Sequence, residues 1–295
     1  MTSRTIGLVG LGIMGGAIAA NLVKAGFMVI GHDIDKERRR EAEAAGVKLG
    51  GDAVAVARDT EMLLTSLPTE EALDQSVAAI AAAKLPHRIV AELSTFTLEG
   101  KQRAHDGLRE AGHILLDCPL SGTGAQAKVK DLSVYASGDS AAIAALMPVF
   151  LGFAREAHDL GPFGNGSKMK YVANLLVAIH NVAAAEALVL GMKAGLDPKA
   201  ILKVVPPGAG GSRMLEVRGP VMAEGRWAEP TMRVSTWHKD LTIIGEYARA
   251  VGCPIPMMDA TLPIYAQALK QGHAEHDTAA VCAVLERMAG VKRGF

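Results

Sequence analysis

The stretch from Gly7 to Leu22, GLVGLGIMGGAIAANL, constrains the fold of this chain more than any other. Gly10, Gly12 and Gly15 form G-x-G-x-x-G directly after the apolar run Thr5 to Val9. The continuation from Ala17 to Ala25 is helical in composition and stops at Gly26, a helix-terminating signal. Phe27 to Asp33 then reads as a second strand ending in a carboxylate, about 20 residues beyond the glycines. Strand, tight turn, helix, strand and carboxylate in this order make a dinucleotide-binding unit. Gly10 permits the turn, Gly12 lets backbone approach a pyrophosphate, and Gly15 lets helix pack closely on strand, with Ile13 and Met14 between them. The helix N-terminus adds N–H donors and a partial positive charge for the phosphates. A secretory signal, with Arg4 as its basic start and Ile6 to Leu22 as its apolar core, is opposed by the same glycines.

Asp33 is placed to accept hydrogen bonds from the adenine ribose hydroxyls and to repel a 2′-phosphate, which favours NAD. NADP stays open through Arg38-Arg39-Arg40, one of which would offer a cation if the following helix turned it inward. Otherwise such a run is a solvated face.

Up to about Gly161 short apolar runs alternate with helical stretches, with strands near 4–9, 28–33, 62–66, 88–93, 113–117, 132–137 and 155–158. This alternation predicts a Rossmann-type, doubly wound parallel sheet, with ligands at the carboxyl ends of its strands. After Gly161-Pro162-Phe163-Gly164-Asn165-Gly166 the pattern becomes helical, beginning with a stretch from Ser167 to Ala194 that has helical periodicity throughout and neither Gly nor Pro except Gly191, about 42 Å long at 1.5 Å per residue. The organisation expected is therefore α/β followed by all-α. Residues 1–162 form a dinucleotide-binding domain, and 163–295 a helical substrate and dimerisation domain entered through a long interdomain helix. So long an apolar helix exceeds what one small domain can cover, which predicts a homodimer or homotetramer.

The 31 basic residues balance 31 acidic ones, so no electrostatic case exists for nucleic acid or an anionic membrane as partner. Cys118, Cys253 and Cys282 have neither metal spacing nor an even count for a disulfide framework, which points to a reducing compartment, the cytoplasm. No run of 18 charge-free apolar residues follows the first segment, so no membrane span is expected. His238, His273 and His276 lack ligand spacing, and no metal is expected.

Four ordered blocks carry a resemblance across essentially the whole chain: Gly10-Leu11-Gly12-Ile13-Met14-Gly15 with Asn21; Asp117-Cys118-Pro119-Leu120-Ser121-Gly122; Gly164-x-Gly166-x-x-x-Lys170-x-x-x-Asn174; and Lys239-Asp240-Leu241. Together they resemble the β-hydroxyacid dehydrogenases, a family that includes 3-hydroxyisobutyrate dehydrogenase, tartronate semialdehyde reductase and L-threonate dehydrogenase and is related to 6-phosphogluconate dehydrogenase. The resemblance implies oxidation of a small hydroxy acid by hydride transfer, with Lys170 as general acid/base and Asn174 orienting the substrate. Lys170 and Asn174, four apart, share one helix face. A lysine serves in this way when burial or a nearby cation lowers its pKa, and Lys239 is the candidate neighbour, near both cofactor and substrate. Ser121 and Gly122 would offer hydroxyl and N–H donors to the substrate carboxylate, though Pro119 to Gly122 alone could be an ordinary loop. Leu67 and Pro68, and Thr95 beside the nicotinamide, follow the family pattern on the cofactor side.

Two departures bear on the substrate. Thr123 stands where the family usually has a second glycine after Ser-Gly, and Arg213 where the threonate-type members usually carry Trp. Facing a pocket, Arg213 would hold a second carboxylate or a phosphate; facing solvent, it would carry no information. The same fold and lysine could also run an NADPH-linked reductase of a semialdehyde or glyoxylate, and a non-catalytic nucleotide-binding scaffold is the remote alternative.

Overall fold

The computed structural model describes residues 5–293, so Arg4, with which the first strand and the signal reading began, lies outside the described residues. Strands and helices alternate through the first half: β1 (Thr5–Val9), α1 (Ile13–Lys24), β2 (Met28–His32), α2 (Lys36–Ala44), β3 (Lys48–Leu49), α3 (Ala53–Asp59), β4 (Met62–Thr65), α4 (Glu70–Ala82), β5 (Ile89–Glu92), α5 (Leu98–Glu110) and β6 (Ile114–Asp117). These strands make one parallel sheet in the order β3-β2-β1-β4-β5-β6. The order reverses beside β1, which puts the glycine-rich turn at the switch point where such sheets bind ligands.

Successive strand residues point to opposite faces, and both faces are covered. Leu64 and Leu116 enter one apolar core with Ile18 and Leu22 of α1, while Leu63 and Leu115 enter the other with Val56, Leu73 and Leu108. Each such fully buried side chain contributes roughly 1.5–3 kcal/mol. Most helices start where the sequence supplies an oxygen cap: the side chains of Asp35, Asp52, Thr69 and Thr97 accept backbone N–H groups at the starts of α2, α3, α4 and α5.

The stretches read at 132–137 and 155–158 are strands, but beyond a single antiparallel bridge from Ser137 to Asp117 they do not extend this sheet. With β7 (Leu120–Ser121), β8 (Ser133–Ala136) and β9 (Glu156–Asp159) form a separate three-stranded sheet, flanked by α6 (Gly124–Lys128) and α7 (Ser140–Phe153). β7 runs antiparallel to β8 and pairs Ser121 with Ser133, so Ser121 sits on a strand rather than in a free turn. Apolar patterning identifies strands and leaves their partners open, and a two-residue strand is too short to show any period.

The chain divides into two compact units, Met1–Lys170 and Tyr171–Phe295. The division falls inside α8 (Asn165–Lys193), slightly beyond the boundary read from the sequence, because Gly166 and Ser167 bond to Ser137 and Asp117 of the first unit. By length and composition alone α8 is long and apolar enough to cross a membrane, although Lys168, Lys170, Glu186 and Lys193 interrupt it. Its buried stripe nevertheless carries Lys170, Asn174 and Asn181, and the last two have polar partners from other helices of the chain.

The second unit continues as α9 (Pro198–Val204), α10 (Arg213–Glu224), α11 (Val234–Ala250), α12 (Pro256–Lys270) and α13 (Val281–Ala289). Asn181 donates to Tyr265 Oη and to the Thr278 carbonyl, both at 3.0 Å, and Arg218 pairs with Asp277 at 3.3 Å. Burial pushes the Asp277 carboxyl upward, but Arg218 and N–H donors from Ala279 and Thr231 outweigh it and hold the group below the ordinary carboxylate range. Its stabilisation is therefore complete above the unfolded carboxylate pKa and is lost as pH falls through the depressed folded value. Asp277→Asn should cost roughly 3 kcal/mol by leaving Arg218 buried without its counter-charge, measured by urea denaturation at pH 7. A change near zero would show that the pair is dispensable.

Candidate active site

In the first unit the β1–α1 turn is built as the glycine pattern requires. Gly10 has φ +93°, and its N–H donates to the His32 carbonyl at 2.8 Å. A Cβ on Gly10 would run into the Ser66 carbonyl, and one on Gly15 into the carbonyl of Gly10 itself. At Gly12, by contrast, an added Cβ would meet nothing within 4 Å. Gly12 also begins α1 without a side-chain cap, and the first N–H groups of a helix have no intrahelical acceptor. This open, donor-rich cradle fits a pyrophosphate. Ile13 is exposed and Met14 half-buried on its rim.

Asp33 follows β2, as expected. Its carboxylate accepts the Leu11 N–H at 2.6 Å and the Asp35 N–H at 2.8 Å, which fixes it against the turn. Arg38 pairs with Glu41 and Arg40 with Glu37, both within α2. Leu67 and Pro68 follow β4, and the Leu67 N–H donates to Ser94 Oγ at 2.9 Å, next to the half-buried Thr95 after β5. Asn21 is buried and donates to the Ala127 carbonyl at 2.7 Å, so its amide ties α1 to α6.

β6 ends at Asp117 and leads through Pro119 into β7, where Ser121 and Gly122 are half-buried and Thr123 is buried. Gly122 has φ +129° and packs against Leu132, a conformation that would strain a side chain. The Thr123 N–H donates to Gln126 Oε1 at 3.0 Å, which caps α6. Asp117 does more than end a strand. Its carboxylate accepts the Ser167 N–H at 2.7 Å and the Ser167 hydroxyl at 2.9 Å, which sets an anion at the N-terminus of α8. Lys170, 8% exposed, stands in the next turn.

In the second unit Asn174 is buried and donates to Asp240 Oδ2 at 3.1 Å. Lys239 is partly exposed, with its Nζ 3.5 Å from Asp240 Oδ1. Asp240 thus touches two of the residues singled out from sequence, and its place in the Lys239-Asp240-Leu241 block was the available signal. Arg213 opens α10 with its side chain 60% exposed and paired with Glu216 at 3.1 Å. His238 is exposed.

Comparison with known proteins accounts for both halves. Residues 5–161 match the NAD binding domain of 6-phosphogluconate dehydrogenase, and residues 164–285 match the NAD-binding domain of NADP-dependent 3-hydroxyisobutyrate dehydrogenase. The chain belongs to the β-hydroxyacid dehydrogenase family. Among relatives, an L-threonate dehydrogenase of Cupriavidus necator is 33% identical over 283 residues, covering 95% of each chain. An NAD-dependent L-serine dehydrogenase of Pseudomonas aeruginosa is 31% identical, covering 94% of this chain and 96% of its own. The solved Mycobacterium tuberculosis 3-hydroxyisobutyrate dehydrogenase with L-serine superposes with a TM-score of 0.85 at 28% identity, covering 97% and 99%. This β-hydroxyacid dehydrogenase therefore carries an NAD(P)-binding domain of known type, and the turn geometry explains how its own glycines would hold the dinucleotide.

Proposed function

We propose that this enzyme oxidises a small β-hydroxy monoacid of three or four carbons, with NAD as cofactor and Lys170 as general acid/base. The observation that carries this reading is the buried Lys170 in the turn that follows the Asp117-held start of α8, with Asn174 on the same helix face. Bound nicotinamide supplies the acceptor for the hydride from the carbinol carbon. The chain's part is to take the hydroxyl proton, which passes to the uncharged Lys170 amine as the carbonyl forms. Ser121, Gly122 and Thr123 are read as holding the substrate carboxylate, and Asn174 with Lys239 as orienting the substrate. Gly10, Gly12, Ile13, Met14, Gly15, Asp33, Leu67, Pro68, Thr95 and Lys239 are read as contacting the cofactor. The Arg213–Glu216 pair favours a monoacid over a diacid. Exposed Val172, Leu176 and Leu190 on α8 support a homodimer or homotetramer.

Initial rates with 3-hydroxyisobutyrate, 3-hydroxypropionate, glycerate, L-threonate and L-serine, each with NAD and NADP, test the reading. NAD should be preferred by at least ~10-fold in kcat/KM, the discrimination that about 1.4 kcal/mol of repulsion between Asp33 and a 2′-phosphate gives. Asp33→Ser should narrow the ratio. Preference of the wild-type enzyme for NADP would favour the semialdehyde reductase reading instead.

A further inference from the structure

Beneath the carboxyl ends of β5 and β6, Glu92, Lys101 and Asp117 lie wholly inside the first unit, each 0% exposed. Lys101 Nζ is 2.7 Å from Glu92 Oε2 and 2.7 Å from Asp117 Oδ1. Burial alone would drive the lysine toward its neutral form. Asp117 and Glu92 more than reverse that and keep it charged, while burial pushes Glu92 upward. A buried ion cluster seldom stabilises a fold better than apolar packing would. Its presence on the apolar stripe of α5, beside Ala104 and Leu108, therefore points to a role in geometry.

The cluster is the middle of a continuous chain of contacts. The Leu67 N–H donates to Ser94 Oγ, and the Ser94 N–H to Glu92 Oε1 at 2.7 Å. Lys101 joins Glu92 to Asp117, and Asp117 holds the N–H and hydroxyl of Ser167. Ser137 adds a second strand to the link: its hydroxyl lies 3.3 Å from Asp117 Oδ2 and accepts the Gly166 N–H at 2.9 Å. One end is thus the loop after β4 assigned to the cofactor, and the other is the first turn of α8, three residues before Lys170.

We propose that Lys101 is a positioning residue, which through Glu92 and Asp117 locks the start of α8, and so the Lys170 amine, to the cofactor-side loops at 67–68 and 94–95. The proposal rests on the reading of Lys170 as the acid/base. It requires rigid registry and no conformational switch.

The test uses Lys101→Met and Ser167→Ala in the full-length enzyme, the second because it strands no charge if the first fails to fold. Lys101→Met should lower kcat roughly 10- to 100-fold, as displacement of a catalytic group by about 1 Å does, while the Kd for NADH stays within about threefold. Ser167→Ala should lower kcat roughly 3- to 10-fold at nearly unchanged Tm, a smaller displacement of the same kind. In both, hydrogen exchange at amides 165–170 should quicken about tenfold while β1 and β4 amides keep their wild-type rates. Uniformly faster exchange, with kcat per folded enzyme unchanged, would reduce Lys101 to a stability residue and overturn the proposal. Unchanged exchange at 165–170 in Ser167→Ala would also overturn it, whatever Lys170 does. Full activity of Lys170→Ala removes instead the reading on which the proposal rests, so the two failures are distinct.

Discussion

Replacing Lys170 with alanine lowers kcat by roughly 10²- to 10⁴-fold, the range that a positioned general acid/base supplies, and leaves NADH affinity within a few-fold of wild type. The separation follows from the fold. Lys170 is on α8, while the phosphate cradle is the β1–α1 turn, so losing the amine leaves Gly10, Gly12 and Gly15 untouched. Lys170→Arg tests proton transfer against charge. Arginine places a permanent cation at the same position but stays protonated at any working pH, so it cannot accept the hydroxyl proton. The arginine variant should therefore be about as inactive as the alanine variant. Added methylamine should restore part of the turnover of Lys170→Ala, because a small amine can occupy the vacated space and take the proton. Single-turnover absorbance at 340 nm reads the chemical step directly. Wild-type rates in the alanine variant would end the lysine mechanism, and activity in the arginine variant would assign Lys170 a purely electrostatic role.

The sequence made the first βαβ unit legible because its signals are local. The turn glycines, the helix stop at Gly26 and the carboxylate at Asp33 follow one another within 24 residues, counting from Gly10 to Asp33. The Lys170–Asn174 pair was legible for the same reason, as helix spacing alone puts the two on one face. What stayed hidden depends on tertiary pairing. Ser133 to Ala136 announces a strand, yet nothing in it says that its partners are Leu120-Ser121 and Glu156 to Asp159 instead of β6. The contact from Asp117 to Ser167 spans 50 residues and joins a strand end to a helix start, each of which reads as complete by itself. Lys101 did leave a trace. It occupies the inward stripe of α5 with Ala104 and Leu108, where a lone lysine costs stability unless carboxylates meet it. Glu92 and Asp117, the two strand-end carboxylates, were the partners to look for.

The glycines of the β1–α1 turn give the second large effect, and their environments predict opposite consequences for two like substitutions. Gly15→Ala sets a methyl group against the Gly10 carbonyl, which is backbone and itself held in a left-handed conformation by the turn. Neither side can yield without moving β1 or α1. Overpacking of this kind should cost roughly 3 kcal/mol. That corresponds to about 6–12 °C in Tm at 2–4 °C per kcal/mol. Gly12→Ala adds its methyl group to open space, at φ −64°, where alanine is at ease, so stability should stay within about 0.5 kcal/mol of wild type. That space, however, is where the pyrophosphate approaches the backbone, and the methyl group holds it away from the N–H groups of α1. NADH affinity should fall about 100-fold, or roughly 2.7 kcal/mol, in a protein that melts like the parent. Fluorescence titration with NADH beside a thermal melt separates the two cases. If Gly12→Ala bound NADH as well as wild type, the phosphates would not lie on this turn, and the cofactor contacts assigned to Gly12, Ile13 and Met14 would fall with it.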